Sequence, residues 1–233
     1  MLSQDEMKRI VARYALSFVE SDQVIGVGTG STAMEFLKLL ADCIKRGELR
    51  NVLLVPTSSE VEYMCHVLGI ADLLRQPWQI DRIDVAIDGA DEVDPEKNLN
   101  KGGGGALTGE KIIDYNAEEF IVIVDETKLV DKLGRKHPIP IEVIPRYWRL
   151  VASRVVSQLG GEVKLRILER GKRGPLVTDN GNYLLDWFKL VDEPEIAEKR
   201  TKEIPGVVEV GIFSREHVHK VLVACSDGKV IEM

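Results

Sequence analysis

The sequence predicts an α/β protein: a doubly wound parallel sheet with a second, smaller α+β module. Short apolar runs alternate with helical patterns from Val24 to Asp125, and those runs are apolar on both faces. Strands buried on both faces and separated by helices belong in a parallel sheet with helices on each side. After about Leu133 the rhythm changes to proline-punctuated, alternating segments, which mark the second module.

Each element follows in order. MLSQDEMKRIVARYALSFVE is charged throughout, with apolar residues at helical spacing, so it reads as an amphipathic helix and not as a signal peptide. VIGVG, from Val24 to Gly28, reads as a buried strand, followed by a helix through STAMEFLKLLADCIKR. NVLLVP is the next strand, with a helix from about Ser59 to Leu68. IDVAIDGAD supplies a third strand, ALTGEKIIDYNA a helix, and FIVIVD a further strand. In the second half PIPIEVIP is extended and residues 146–159 are helical; EVKLRIL and LVTDNGNYLLDW are strands, the latter broken by a turn. EPEIAEKRTKEI is a helix and VVEVGIF a closing strand. That β-α-β-β-α-β order is ferredoxin-like. The expected division is a catalytic domain of residues 1–132 plus 209–233 and a small domain of residues 133–208.

Bulk properties exclude several classes. The 233 residues are 44% hydrophobic and 30% charged, ordinary values for a folded chain. A net charge of −7 argues against nucleic acid as partner, so an anionic ligand needs a local concentration of donors. Cys43, Cys65 and Cys225 are odd in number and form no CxxC, which supports neither a disulfide framework nor a zinc ribbon and fits a reducing cytoplasm. No apolar run approaches the roughly 20 residues of a membrane span.

Four loops carry the chemistry. GVGTGST joins the first strand to its helix, where ligands bind in parallel sheets. Ser31 stands where a dinucleotide fingerprint needs its third glycine, the second strand ends in VPTSS with no acidic residue for a ribose, and no GK[ST] follows. The hydroxyls of Thr29, Ser31 and Thr32 with helix N-terminal amides suit a phosphate monoester; the plain alternative is a turn with Ser31 as N-cap. Asp88-Gly89-Ala90-Asp91 ends the third strand with two carboxylates around small residues, admitting either a ligand or a turn cap. Asp94 and Glu96 read as a solvated loop. NKGGGGALTGEK lies between α/β elements and precedes a helix, so a backbone anion loop is favoured over a linker. Glu110, on the first turns of that helix, would face Asp88 and Asp91, which raises its basicity, while Lys101 stabilises developing negative charge. DETK places Lys128 at the end of the fifth strand. The four histidines are scattered outside these loops, so no metal cluster is indicated. A base, an oxyanion stabiliser and a phosphate anchor suffice for proton transfer beside a carbonyl, as in isomerisation of a sugar phosphate.

GVGTGST, DGADEVD, KGGGGALTGEK and DETK, in this order, with PIEVIP and TDNGNYLLD in the second half, resemble ribose-5-phosphate isomerase of the A type. The resemblance spans nearly the whole chain. It implies interconversion of ribose 5-phosphate and ribulose 5-phosphate without metal or organic cofactor, on a Rossmann-like domain joined to a ferredoxin-like one, in a homodimer or tetramer. Glu110 matches the family's base; Asp88, Asp91 and Lys101 match residues of ring opening, hydroxyl proton shuttling and enediolate stabilisation. Thr29, Gly30, Ser31, Thr32, Asp88, Gly89, Ala90, Asp91, Lys101, Gly102, Gly103, Gly104 and Lys128 match substrate-binding positions. The sequence departs from the family pattern at Gly105, where alanine is common, and at Gly109, where a larger residue often precedes the glutamate. A glycine at a helix start loosens it by up to about 1 kcal/mol. The tail departs as well, with Arg215, His217 and His219.

Three rivals are weighed against this reading. An amino-sugar-phosphate deaminating isomerase would share the proton chemistry. A sugar-phosphate sensor would need a DNA-binding segment for which the first helix leaves no room, and would not need Glu110 with both aspartates and Lys101. An NAD-dependent dehydrogenase has only the fold in its favour.

Overall fold

The computed structural model describes residues 1–168 and 173–233. Helix α1 (Gln4–Ala15) precedes β1 (Val24–Val27), α2 (Ser31–Lys45), β2 (Leu53–Pro56), α3 (Ser59–Val67) and β3 (Ile83–Asp88). Two two-residue strands follow, β4 (Glu92–Val93) and β5 (Leu99–Asn100), then α4 (Leu107–Tyr115) and β6 (Ala117–Asp125). The second half runs β7 (Ile139–Val143), α5 (Trp148–Leu159), β8 (Glu162–Leu165), β9 (Ile167–Leu168), β10 (Gly174–Pro175) and β11 (Tyr183–Phe188). Helix α6 (Pro194–Lys202), β12 (Val207–Val210), β13 (Ile212–Phe213), β14 (Lys220–Ala224) and β15 (Val230–Glu232) complete the chain.

The chain divides into two compact units. The first comprises Met1–Gly89, Gly109–Lys128 and Glu216–Met233; the second comprises Ala90–Thr108 and Leu129–Arg215. Residues 90–108, 129–132 and 209–215 thus group with the second unit, whereas the sequence reading assigned them to the first domain.

The first unit is built on a six-stranded sheet in the order β15-β14-β6-β3-β1-β2, parallel except for β15 at its edge. Its strands are apolar on both faces because both are covered. Ile25, Val27, Leu54, Val85, Ile87, Ile121 and Ile123 pack with α1, α2 and α3 in one core. On the opposite face, Ile113 of α4 packs with Val55 and Ile83. Gly26 lies under that helix: a Cβ there would stand 2.7 Å from Ile113 Cγ2, so α4 can lie this close only over a bare backbone. Ser3 caps α1 through a capping box with Glu6, which fixes where the amphipathic helix begins.

The second unit centres on a four-stranded antiparallel sheet in the order β12-β7-β11-β8. Alternation in PIPIEVIP explains its two faces. Ile139, Ile141 and Val143 pack with Val151 and Val155 of α5 and with Leu185 and Trp187, while Pro140 and Glu142 face the other way. Trp187 is 1% exposed and donates its indole N–H to the Gly160 carbonyl at 2.9 Å. The run EVKLRIL divides at Arg166 into β8 and β9, and VVEVGIF divides at Gly211 into β12 and β13. Gly211 donates to Pro140 and accepts from Lys101, and a Cβ there would stand 2.2 Å from the Lys101 carbonyl oxygen. Strand β13 then joins β5 and β4 in a three-stranded antiparallel sheet.

Candidate active site

In the first unit, the strand order β2-β1-β3 makes the carboxyl ends of β1 and β3 the switch point where the winding direction changes. Both ends carry predicted residues. After β1 the chain turns at Gly28, whose N–H donates to the Ile87 carbonyl. A Cβ on Gly28 would stand 2.1 Å from the Asp88 carboxyl carbon, so glycine is required by space. Asp88 is fully buried; its Oδ1 accepts from the N–H groups of Thr29 at 3.1 Å and Gly89 at 2.6 Å, which ties the two loops together.

Helix α2 starts at Ser31, and its N-cap is Gly30 at φ 97°, not Ser31. A glycine cap supplies no oxygen to the first-turn amides, so those amides keep the anion-binding capacity of a helix N-terminus. Ser31 is exposed and Thr32 buried, and neither hydroxyl has a partner among the described residues. The Thr29 hydroxyl instead lies 2.8 Å from that of Thr57 and donates to Ser58 Oγ at 2.7 Å. Thr57 and Ser58 were not among the predicted site residues; the hydroxyl run in VPTSS, at the carboxyl end of the neighbouring strand, was the signal available.

Glu110 lies in the first turn of α4 and is 5% exposed. Gly109 before it is not merely a loosening residue. A Cβ at Gly109 would meet the Thr57 carbonyl oxygen at 2.2 Å, so the glycine lets the start of α4 close on the β2 loop. That contact brings the residue preceding the predicted base against the same threonine that meets Thr29. Lys128 is half-buried at the end of the short turn after β6, and its amine has no ion-pair partner among the described residues. Asp125, fully buried, accepts from Gln4 Nε2 at 3.1 Å and from the Thr127 N–H at 3.0 Å; it is a turn tie.

The second unit holds the other predicted residues. The glycine run does not leave the parallel sheet, as the sequence reading had it; it follows β5 of the three-stranded sheet. Two-residue strands carry no periodicity that could have revealed this. Gly102 (φ 98°) and Gly105 (φ 90°) occupy the left-handed region, and Gly105 donates to the Gly102 carbonyl at 3.0 Å, closing a turn. Gly105, where alanine is common in the family, is here held at a positive φ. Gly103 donates to Asp91 Oδ2 at 2.7 Å, and Asp91 itself donates from its backbone to the Asn100 carbonyl. Lys101 is 2% exposed, its Nζ 5.4 Å from the centroid of the Phe213 ring.

Arg166 was not predicted. Its Nη1 donates to the carbonyls of Gly102 and Gly103, both at 3.0 Å, while its Nε donates to Asp186 at 3.0 and 3.1 Å. Glu142 was also missed. It is fully buried and accepts from the hydroxyls of Thr108 and Thr178 and from the Asn180 and Asn182 amides, which explains PIEVIP and TDNGN as two halves of one buried network.

One further correction concerns an acidic residue. Asp94 is buried, not solvated: it accepts from the backbone of Glu96 and Asn98 and from the Asn98 amide. Glu92 is likewise buried, accepting from the backbone of Gly134 and His137 and from Asn100 Nδ2. Both are loop ties. The tail residues also have structural partners. Arg215 pairs with Glu96 and Glu195, His217 stacks on Tyr115 at 3.8 Å, and His219 Nδ1 accepts from the Phe120 N–H. Burial pushes the Cys65 thiol up to about 11 and raises those of Cys43 and Cys225, which disfavours the thiolate form of each. Among the described residues no group of His, Cys, Asp and Glu has metal-binding geometry.

Comparison with known proteins gives the family. Residues 53–228 match the family described as Ribose 5-phosphate isomerase A (phosphoriboisomerase A). Ribose-5-phosphate isomerase A of Pyrococcus horikoshii is 49% identical over 216 residues, 91% of this chain and 92% of that protein. A solved D-ribose-5-phosphate isomerase in complex with phospho-erythronic acid superposes with a TM-score of 0.95 at 46% identity, covering 100% of this chain and 99% of that one. The ribose 5-phosphate isomerase of Plasmodium falciparum gives 0.92 at 34% identity, with 98% of each chain covered. The chain belongs to the ribose 5-phosphate isomerase A family.

Proposed function

We propose that this protein interconverts D-ribose 5-phosphate and D-ribulose 5-phosphate, in the non-oxidative pentose phosphate pathway, through a cis-enediolate. The observation that carries the reading is Glu110: a buried carboxylate on the first turn of α4, directly after a glycine pressed against Thr57. Glu110 takes the proton from C2 of the open-chain aldose and returns it to C1, while a hydroxyl hydrogen passes from O2 to O1. Lys101 stabilises the charge that builds on the enediolate oxygen. Asp88 and Asp91 serve ring opening and hydroxyl proton transfer. The amides and hydroxyls of Gly30, Ser31 and Thr32, with Lys128, hold the phosphate; Thr29, Gly89, Ala90, Gly102, Gly103 and Gly104 complete the substrate contacts. Transfer of a proton between adjacent carbons needs only a base and an oxyanion donor, so the reading requires no metal or organic cofactor.

The test is turnover of ribose 5-phosphate in excess EDTA, with Glu110→Gln alongside. Fast ketose formation by the wild type and a loss of about 10²–10⁴-fold in kcat for the variant are expected. Wild-type-like turnover by the variant overturns the base; no turnover by the wild type, with or without magnesium, overturns the activity and favours a sugar-phosphate sensor.

The fold is read as a Rossmann-like domain with a ferredoxin-like one. The β2-β1-β3 switch supports the first, and the β12-β7-β11-β8 order supports the second. In this reading residues 133–208 are the ferredoxin-like module, to which 90–108, 129–132 and 209–215 attach, and this module supplies contacts of a cytoplasmic homo-oligomer. The support is an apolar face with Leu150 73%, Tyr147 48% and Ile144 43% exposed. Sedimentation equilibrium of the wild type and Leu150→Glu is expected to show a dimer or tetramer weakened by the charge; a monomeric wild type overturns it.

A further inference from the structure

We propose that Arg166, held in place by Asp186, is the positioning residue that aims the glycine loop at its anionic ligand. The inference rests on the isomerase reading for the ligand's identity, but its structural half does not.

The geometry begins at the backbone of Arg166. Its N–H donates to the Leu184 carbonyl at 2.8 Å and its carbonyl accepts from Leu176 at 2.9 Å, so the residue is anchored on both sides where β8 gives way to β9. Its side chain is 15% exposed and that of Asp186 16%, which keeps the ion pair largely out of water. A guanidinium is a planar fork, so fixing one edge on a carboxylate fixes the direction of the other. Here the other edge receives two successive carbonyls, Gly102 and Gly103.

A trans peptide carries its C=O and the next residue's N–H in opposite directions. Aiming the Gly102 carbonyl at Arg166 therefore turns the Gly103 N–H away from it, and that N–H donates to Asp91 at 2.7 Å. Aiming the Gly103 carbonyl at Arg166 likewise turns out the Gly104 N–H. Gly104 is exposed, and a Cβ added there meets nothing within 4 Å. Arg166 thus does two things with one group: it sets the Asp91 carboxylate against a fixed donor, and it presents the Gly104 amide to open space beside Lys101 in sequence. Four glycines alone would sample many conformations; with both carbonyls on a guanidinium they hold one. Preorganised donors aimed at developing charge act only if held in place before the reaction.

The test uses Arg166→Met, Arg166→Lys and Asp186→Asn in the full chain. Five readouts are taken: amide hydrogen exchange over residues 102–105, kcat and KM for ribose 5-phosphate, and inhibition by inorganic phosphate and by phospho-erythronic acid. For Arg166→Met, exchange at Gly103 and Gly104 is expected to speed up at least about tenfold. A fall of about 10–100-fold in kcat should accompany it, with KM moving less than about threefold. Phospho-erythronic acid should weaken in step with kcat, and inorganic phosphate should not. Lysine cannot span carboxylate and both carbonyls, so Arg166→Lys should recover only part of the loss. Where Arg166→Met fails to fold, Asp186→Asn, which keeps the cation and frees its aim, carries the same comparison. Unchanged exchange at Gly103 and Gly104 overturns the proposal, as does a folded variant with kcat within twofold of wild type, or equal weakening of both inhibitors. A wild type that fails to isomerise the substrate refutes the isomerase reading alone, because the exchange arm still decides whether Arg166 aims the loop.

Discussion

Two glycine-bearing loops, residues 28–30 in the first unit and 102–105 in the second, share glycines at positive φ (Gly30, Gly102 and Gly105), but Gly28 serves a different physical reason. At Gly28 the backbone conformation is ordinary and the demand is space, since a Cβ would stand 2.1 Å from the Asp88 carboxyl carbon. At Gly102 and Gly105 the demand is conformational, with φ at 98° and 90°. The first loop is held by a neighbouring strand end and a hydroxyl network; the second is held by a guanidinium that reads its carbonyls. A run of glycines therefore announces neither flexibility nor rigidity by itself. What decides is whether each peptide group has a fixed partner.

Substitution can break the comparison. The largest expected effect is Gly28→Ala, which drives a methyl into Asp88: about 3 kcal/mol of lost stability, measured by urea unfolding, with a normal Gly28→Ala protein refuting the steric reading. Next comes Gly102→Ala. Its left-handed φ and a Leu107 Cβ only 2.8 Å from the added carbon should cost about 1–3 kcal/mol. Gly104→Ala should cost nothing, or stabilise by up to about 1 kcal/mol through the unfolded chain, since neither space nor φ opposes it. If Gly104→Ala instead destabilises as much as Gly102→Ala, the loop is not built as described.

The smallest effect lies outside both loops and serves as their control. The Arg135 guanidinium beside Asp131 holds that carboxyl at about 2, below its ordinary value near 3.9. Because the folded value is the lower one, the contribution is fully present above about pH 4 and is lost as pH falls toward 2. Arg135→Gln should raise the Asp131 midpoint in a carbon-detected NMR titration and lower the thermal midpoint at neutral pH only slightly, because both side chains of the pair are largely exposed. An unmoved midpoint would refute the pairing.

Much of this architecture was legible before any coordinates. Ile25, Val27, Val85, Ile121 and Ile123 announce buried parallel strands because a sheet covered on both faces needs apolar residues at every position. Asp88, Lys101 and Glu110 were singled out in the sequence because they stand beside glycines at the ends of elements, where charge is not needed for folding; their chemistry is the reading proposed above. Arg166 and Asp186 were not singled out, because a single charge within an extended run has no local signature and its partner stands 20 residues away in the chain. Glu142 was hidden for the same reason, its donors arriving from Thr108, Thr178 and Asn182. Gly109 was misjudged as a weak helix start, since its use depends on a carbonyl of Thr57 that only the fold brings near.

The burial of Trp187 gives the second unit a private optical signal. An indole that is 1% exposed and hydrogen-bonded to a carbonyl emits to the blue of one in water, whereas Trp78 of the first unit, 81% exposed, already emits as though unfolded. Trp148, the remaining indole, packs against the same core as Trp187. A red shift in tryptophan emission during denaturation therefore times the opening of the second unit alone. Set beside far-ultraviolet dichroism, which both units feed, it shows whether the two come apart in one transition or in two.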